Sequence, residues 1–300
     1  MTDLPRLAEG TAAEDFAGVP KLLDVRIENG WVHATLPNAA DSKHWWSPWK
    51  DYYSNPDEPP FLRLLQCKSS DREVVDFLQS CGSIVEDRLG AKGRIAFRIA
   101  LFHFEKWQFS FLAGLLREYQ RPENLRRVFL EQLDDAEESL QKFKGPMEGG
   151  PWGQEVRGLW HTINRNDPPQ PVPLNALKSK LTKMEPANVQ KAARLYIARI
   201  ITEKVKKLRL AFEIGSSGWR LYAHSDDLLE SLYWMLAEYF AGRKQLSRCA
   251  ACGRVFVGSG KYCATKVECK ELGRRRLDWQ RNKDRYNRTR RLKRRRKKGK

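Results

Sequence analysis

The sequence CAACGRVFVGSGKYCATKVEC, residues 249–269, contains four of the six cysteines of this chain. Cys249 and Cys252 form a CxxC pair, and Cys263 and Cys269 form a second, wider pair after a short loop. Two such pairs supply the four thiolate ligands that Zn²⁺ takes in a tetrahedral structural site. The spacing therefore predicts a structural zinc ion, with every position around it filled by the protein and none left for a catalytic water.

The residues between the cysteines predict how the loop is built. Gly253 lets the backbone turn past the first pair so that amides face the sulfurs, and Val255 with Phe256 forms a short strand that returns at Gly258. Cys269 is expected on the opening turn of a following helix. A knuckle, a short hairpin and a helix that carries the last ligand together predict a treble-clef-like zinc finger.

Two alternatives for these cysteines remain. Cys249 and Cys252 could form a thioredoxin-like redox pair, although no βαβ unit surrounds them and two more cysteines follow closely. The thiols could also be unligated core residues. The surrounding Gly, Lys and Arg residues, however, leave too little apolar bulk to fold this segment without a metal.

The positive charge is concentrated at the carboxyl end. Residues 243–300 hold 23 of the 55 Lys and Arg residues and only four acidic ones, whereas residues 1–242 hold 32 basic and 33 acidic side chains. A basic appendage on a near-neutral body indicates a polyanionic partner for the appendage alone, and nucleic acid is the usual partner of this kind.

The chain after the last cysteine is predicted to form a long basic helix, because no proline follows Leu272 and no glycine occurs between Gly273 and Gly299. Leu272, Trp279 and Tyr286 recur every seven residues, so one narrow stripe can dock while the other faces meet phosphates. Such contacts give affinity with little sequence information. A solvated tail or a localisation signal is the alternative. The residues predicted to contact nucleic acid are Arg274, Arg275, Arg276, Arg281, Lys283, Arg285, Arg288, Arg290, Arg291, Lys293, Arg294, Arg295 and Arg296.

With 300 residues, of which 41% are hydrophobic, the chain can bury one large core or two smaller ones. We divide it into a body (1–242) with a candidate hinge at 145–186, a zinc finger (243–272) and a basic helical or disordered tail (273–300). The predicted fold class is mainly α, or α+β: a helical body with two small β-hairpins, the finger and the long basic helix. Proline and glycine breaks mark the hinge, within which one weak helix is expected at 154–163.

Two hairpins are predicted in the body, one of them around 215–218. The other turns at Asn29-Gly30 in a type I′ conformation. Its expected facing pairs are Ile27 with Val32, Val25 with Ala34, and Leu23 with Leu36. Helical periodicity begins near Pro59 and is clearest over 96–119, 125–143, 189–205 and 228–240. Ser225 is the expected cap of the last helix, and Gly242 its end.

An aromatic cluster lies in the predicted loop 37–60, comprising Trp45, Trp46, Trp49, Tyr52 and Tyr53. Such rings can stack on bases or on a ligand. A loop that folds back over an apolar surface uses the same residues, and we favour packing.

From Trp219 onward the sequence combines a hairpin, the run DDLLESLY at 226–233, the run RCAACGRVF at 248–256, Tyr262-Cys263 and a basic helix. These motifs resemble the bacterial CGNR-type zinc-finger proteins, in which a helical amino-terminal sensor or regulatory domain precedes a treble-clef finger. Those proteins are regarded as DNA-binding transcription regulators. The resemblance implies Cys249, Cys252, Cys263 and Cys269 as ligands. Here the namesake tetrapeptide is replaced by CKEL at 269–272.

No catalytic motif accompanies these features, since HExxH, GxSxG and GxGxxG are absent and the five histidines are scattered. We therefore predict a DNA-binding regulator, not an enzyme, with DNA favoured over RNA. An RNA-binding or RNA-processing protein, including a nuclease, is the alternative, and a scaffold whose tail touches anionic lipid is a third. Cys67 and Cys81 are expected as free thiols of a reducing compartment. With no signal peptide and no membrane-length apolar run, we expect a cytoplasmic, nucleoid-associated protein.

Overall fold

The computed structural model describes residues 19–37, 45–46, 48, 51, 58–85, 94–119, 121–143, 150–164, 173–206, 208–215, 218–225, 227–242, 246–252, 254–258, 260–263, 269, 271, 275 and 282. The chain divides into two compact units, Met1–Arg243 and Lys244–Lys300. Its described part is mainly helical with small antiparallel sheets and a carboxyl-terminal cysteine cluster, which confirms the predicted fold class. None of the described helices combines the length and apolar character needed to cross a membrane.

The first unit contains eight described helices: α1 (Phe61–Gln66), α2 (Asp71–Cys81), α3 (Ile99–Glu118), α4 (Pro122–Phe143), α5 (Pro151–Asn164), α6 (Leu174–Lys183), α7 (Pro186–Lys204) and α8 (Leu228–Ala241). Its described strands are β1 (Val19–Pro20), β2 (Leu23–Glu28), β3 (Trp31–Thr35), β4 (Trp45–Trp46), β5 (Arg94–Arg98), β6 (Arg209–Gly215) and β7 (Gly218–His224). The sheets are β1-β4, β2-β3-β5 and β6-β7, all antiparallel.

Helix α3 is the centre of the core, because it packs against α1, α4, α5, α7 and α8. The helix is therefore buried on more than one side. The Phe111 ring lies 5.4 Å from that of Phe129 on α4 and 4.7 Å from that of Tyr196 on α7, while Trp107 lies 4.8 Å from Trp152 on α5. Aromatic contacts therefore join four helices around one apolar centre.

The amino-terminal hairpin turns at Asn29 and Gly30, whose φ angles of 52° and 79° are those that a type I′ turn requires. Ile27 faces Val32 as predicted. The predicted pair of Leu23 with Leu36 is wrong, because the register shifts between Leu23 and Arg26 and Leu23 then faces Thr35. The predicted pair of Val25 with Ala34 lies at this shift and stays a prediction. A bulge inserts an extra residue in one strand, and Asp24, with a φ of 49°, lies at that irregularity.

The hairpin has a third strand that the sequence analysis placed in a helix. Residues 94–98 form β5, which pairs with β3 so that Val32 faces Phe97, and helix α3 begins only at Ile99. The alternating burial of Ile95 and Phe97 has a period of two and marks a strand. The aromatic density that continues into α3 concealed this change of period.

Of the aromatic cluster in the loop 37–60, the structure describes Trp46 and the backbone of Trp45. Trp46 is buried, its indole Nε1 donates to the Asp51 carboxylate at 2.7 Å, and the Arg63 guanidinium lies 5.0 Å from its ring centroid. Packing is therefore confirmed for Trp46. Trp49, Tyr52 and Tyr53 lie outside the described residues.

The predicted break at 145–186 contains two helices, α5 and α6, where one was expected. Helix α6 buries three leucines at helical spacing, Leu174, Leu177 and Leu181. Its Lys178 ammonium lies 2.6 Å from the carboxylates of Asp134 and Glu137 on α4. The prolines and lysines around these leucines indicated a hinge between helices. The apolar side of α6 instead packs on the body.

The second hairpin, β6-β7, forms as predicted, and α8 follows it. The cap of α8 is Asp227, not Ser225: the Asp227 carboxylate accepts from the Glu230 amide at 3.1 Å. The Ser225 hydroxyl instead accepts from the Asp227 amide at 3.1 Å and donates to the Glu230 carboxylate. The serine therefore supports the capping residue. Gly242 ends the helix as predicted.

We expect Gly82→Ala to destabilise the first unit. Gly82 ends α2 with a φ of 93°, and an added Cβ would lie 2.6 Å from the Pro20 carbonyl oxygen and 2.9 Å from Val19 Cγ1. The backbone strain alone costs about 1–3 kcal/mol, and the contact with backbone adds to it. Urea unfolding measures the loss. Gly30→Ala is the control, since Gly30 also has a positive φ but open space around it; equal losses in the two variants would contradict the steric argument.

Candidate metal centre

The second unit begins with a short hairpin that carries the first cysteine pair. Strand β8 (Leu246–Arg248) pairs antiparallel with β9 (Val255–Val257), so that Ser247 faces Phe256. The Ser247 hydroxyl donates to the Gly258 carbonyl, and Gly258 has a φ of 123°. The strand predicted at Val255 and Phe256, with its return at Gly258, is thus present.

Backbone hydrogen bonds bring the two cysteine pairs together. The Cys249 amide donates to the Arg254 carbonyl at 2.8 Å, which closes the turn around the CxxC sequence. The Ala250 amide donates to the Lys261 carbonyl at 3.0 Å, which places the segment before Cys263 against the first pair. The local chain path, and not side-chain packing alone, therefore positions three of the four sulfurs.

All four sulfurs converge. The Sγ atoms of Cys249, Cys252, Cys263 and Cys269 lie within 4.8 Å of one another, and those of Cys252 and Cys263 are 3.8 Å apart. A tetrahedron of sulfurs at the usual Zn–S distance of about 2.3 Å has edges of about 3.8 Å. The donor set and its spacing therefore fit a metal ion bound by four thiolates. Cys269 is helical, as predicted for the last ligand.

Burial differs among the four residues. Cys249, Cys263 and Cys269 are 2%, 2% and 3% exposed, whereas Cys252 is exposed. The partly buried side chains of Ala251, Phe256 and Tyr262 pack against the three buried thiols. These few contacts are the only described apolar cover of the cluster, so a bound ion would contribute much of the stability of this unit.

Two of the four thiols have pKa values that are shifted in opposite directions. Burial raises the pKa of Cys249, but hydrogen bonds from the backbone amides of Cys263, Cys252 and Ala251 outweigh it and lower that pKa to about 6. The side-chain hydrogen bond with Cys263, followed by burial, raises the pKa of Cys269 to about 12. The surroundings of Cys249 therefore favour its thiolate, whereas those of Cys269 favour its neutral thiol.

The predicted nucleic-acid contacts fall mostly outside the described residues. Arg275 is described, and it is helical and exposed. The structure does not describe the other twelve: Arg274, Arg276, Arg281, Lys283, Arg285, Arg288, Arg290, Arg291, Lys293, Arg294, Arg295 and Arg296. Three exposed cations close to the cysteines in sequence were not among the predicted contacts, namely Arg248, Arg254 and Lys261. Their position beside the cysteines was the signal that could have revealed them.

The first unit contains a buried polar cluster that no sequence motif predicted. Glu155 on α5, 5% exposed, accepts a hydrogen bond from Gln108 Nε2 at 2.9 Å and forms an ion pair with Arg199 on α7. The Tyr233 hydroxyl donates to the Gln108 side-chain oxygen at 3.3 Å. Each of these four side chains has a hydrogen-bond or ion-pair partner within the cluster. The cluster therefore joins helices α3, α5, α7 and α8.

The four-thiol set can close a tetrahedral shell with protein ligands alone, which is the arrangement of a structural metal and not of a catalytic one. Cys67 and Cys81, the two cysteines of the first unit, are free thiols. Burial raises the pKa of the Cys67 thiol to about 11, against the opposing field of Lys106, so it is not an activated nucleophile. No protein-family model, curated protein sequence or solved structure matches this chain.

Proposed function

We propose that the cysteine cluster binds one structural Zn²⁺ and that the second unit is a zinc finger that binds nucleic acid. The observation that carries the proposal is the convergence of four sulfurs, all within 4.8 Å of one another, inside the most basic part of the chain. Thiolates are soft ligands, and a tetrahedral four-sulfur set selects zinc or iron among the common metals. Zinc is favoured because the short hairpin and knuckle match closed structural zinc sites.

We further propose that the chain is a cytoplasmic, nucleoid-associated DNA-binding regulator of the CGNR type, with the first unit as its sensing or partner-binding part. The near-neutral charge of residues 1–242 supports this division, because only the finger and tail attract a polyanion. Arg254, Lys261 and Arg275 are exposed cations of the second unit and support the assignment of the polyanion to that unit.

The DNA affinity is expected to fall steeply with salt. A protein that neutralises 6–10 phosphates binds DNA about 10³–10⁵-fold more weakly at 200 mM salt than at 50 mM salt. Replacing Arg290, Arg291, Lys293, Arg294, Arg295 and Arg296 with glutamine should reduce the slope of log K against log salt by about 0.9 for each phosphate that the tail no longer neutralises. Fluorescence anisotropy with a duplex DNA and an RNA of the same sequence measures both.

Zinc content is the control for this variant, since the six residues lie beyond the cysteines and the metal should stay bound. An unchanged salt slope would contradict the assignment of the tail, and tighter binding of the RNA would favour the RNA-directed alternative. Incubation of both nucleic acids with the protein and Mg²⁺ should leave them intact, because no catalytic role is proposed. Cleavage by the purified protein would instead support a nuclease.

A further inference from the structure

A cavity of about 670 Å³ lies in the first unit where α5 and α6 end and α7 begins. Three lysines line it, Lys180 and Lys183 on α6 and Lys191 on α7, together with one acidic residue, Glu185. The lining therefore has an excess of two positive charges. The cavity does not depend on the metal centre or on the proposed function of the second unit.

These lysines differ from others of the same helices. Lys178 on α6 is held by Asp134 and Glu137, and Lys204 on α7 lies 2.7 Å from the Glu105 carboxylate. Lys180, Lys183 and Lys191 form no ion pair within the part of the chain that the structure describes. Three unneutralised cations that face one space repel each other, and an anion in that space would relieve the repulsion.

The same cavity has an apolar wall. Ile163 at the end of α5 is buried there, and Leu195 on α7 lines it while 47% exposed. Among the side chains that the structure describes, Leu195 is the one large hydrophobic residue that is exposed. Apolar walls with a few convergent polar groups are typical of small-molecule sites. Nucleic acid would use the cations but not the aliphatic wall, and none of the described lining residues offers an aromatic ring for base stacking.

We propose that this cavity binds a small organic dianion with an aliphatic portion, such as a phosphate monoester or a dicarboxylate. The ammonium groups of Lys180, Lys183 and Lys191 would bind the anionic groups, and the wall at Ile163 and Leu195 would cover the aliphatic part. Such a ligand is a candidate effector of the first unit.

Calorimetric titration of the full-length protein at pH 7.5 tests the proposal with three probes: hexyl phosphate, inorganic phosphate and hexanol. Phosphate monoesters have a second pKa of about 6, so hexyl phosphate is mainly a dianion at this pH. It should bind at least about tenfold tighter than inorganic phosphate, since burying two or more methylene groups is worth that much. Hexanol should not bind measurably. Adipate in place of hexyl phosphate tells a dicarboxylate site from a phosphate site.

Two variants locate the binding. Lys180→Gln with Lys191→Gln should weaken hexyl phosphate binding at least about tenfold, because two of the three cations are removed. Lys68→Gln with Lys206→Gln is the control, as it removes the same charge from exposed positions outside the cavity. Leu195→Asn should reduce the advantage of hexyl phosphate over inorganic phosphate without weakening the latter.

Equal weakening in the two lysine double variants would overturn the proposal, since it would mean nonspecific attraction to a basic protein. Equal affinities for hexyl phosphate and inorganic phosphate would also overturn the proposal, since they would show that the apolar wall does not contact the ligand. A loss of DNA affinity confined to the Lys180/Lys191 variant, without hexyl phosphate binding by the wild type, would assign these lysines to nucleic acid and reject the small-molecule site.

Discussion

We expect the replacement of Cys263 by serine to abolish the proposed zinc binding and to unfold the second unit. The Cys263 sulfur is buried and lies 3.8 Å from that of Cys252, so its loss opens the tetrahedron. Structural zinc sites contribute about 10–16 kcal/mol of apparent binding free energy, which is also folding free energy when the unit cannot fold without the ion. We expect one zinc per wild-type chain by elemental analysis and substantially less than one for the variant. The dispersed amide resonances of residues 246–263 should collapse in the variant.

Cys67→Ser is the matched control, because Cys67 is a thiol of the first unit whose described hydrogen bonds go to the backbone carbonyls of Lys68 and Glu73. It should keep its zinc and its DNA affinity. A wild-type protein that contains no metal, or a Cys263→Ser variant whose second unit remains folded, would remove the basis of the zinc-finger proposal. Iron in place of zinc would keep the structural site but correct the identity of the ion.

Phe111→Ala is expected to cause the largest loss of stability in the first unit, about 3–5 kcal/mol. Phe111 is fully buried, and its ring contacts those of Trp107, Phe129 and Tyr196. Truncation leaves a cavity where three helices meet, and long aromatic neighbours cannot easily collapse into it. Urea unfolding followed by tryptophan fluorescence measures the change, since nine of the ten tryptophans lie in the first unit.

Leu195→Ala is the control on α7, the helix that also carries Tyr196. Because Leu195 is exposed, we expect its truncation to change the free energy of unfolding by less than about 0.5 kcal/mol. A loss below about 1 kcal/mol for Phe111→Ala would show that the aromatic centre is loosely packed and that the core lies elsewhere.

The candidate site was more predictable from the sequence than the fold around it. The four cysteines that the sequence groups together do converge in the structure, since they are close in sequence and the knuckle between them is built from local backbone hydrogen bonds. The difference in exposure between Cys252 and the other three could not be predicted. It depends on where Phe256 and Tyr262 pack, which is a property of the folded loop.

Sequence alone determined the helices with long apolar periods, the turn at Asn29-Gly30, the cysteine cluster and the separation of charge, because each depends on residues near one another in the chain. The tertiary structure determined the contacts between segments that are distant in the sequence. Strand β5 exists because residues 94–98 meet the free edge of β3, and the hydrogen bonds that form there override the local pattern. The cavity lined by Lys180, Lys183 and Lys191 likewise forms only where separate helices converge. The spacing of these lysines in the sequence does not predict it, because they lie on both α6 and α7.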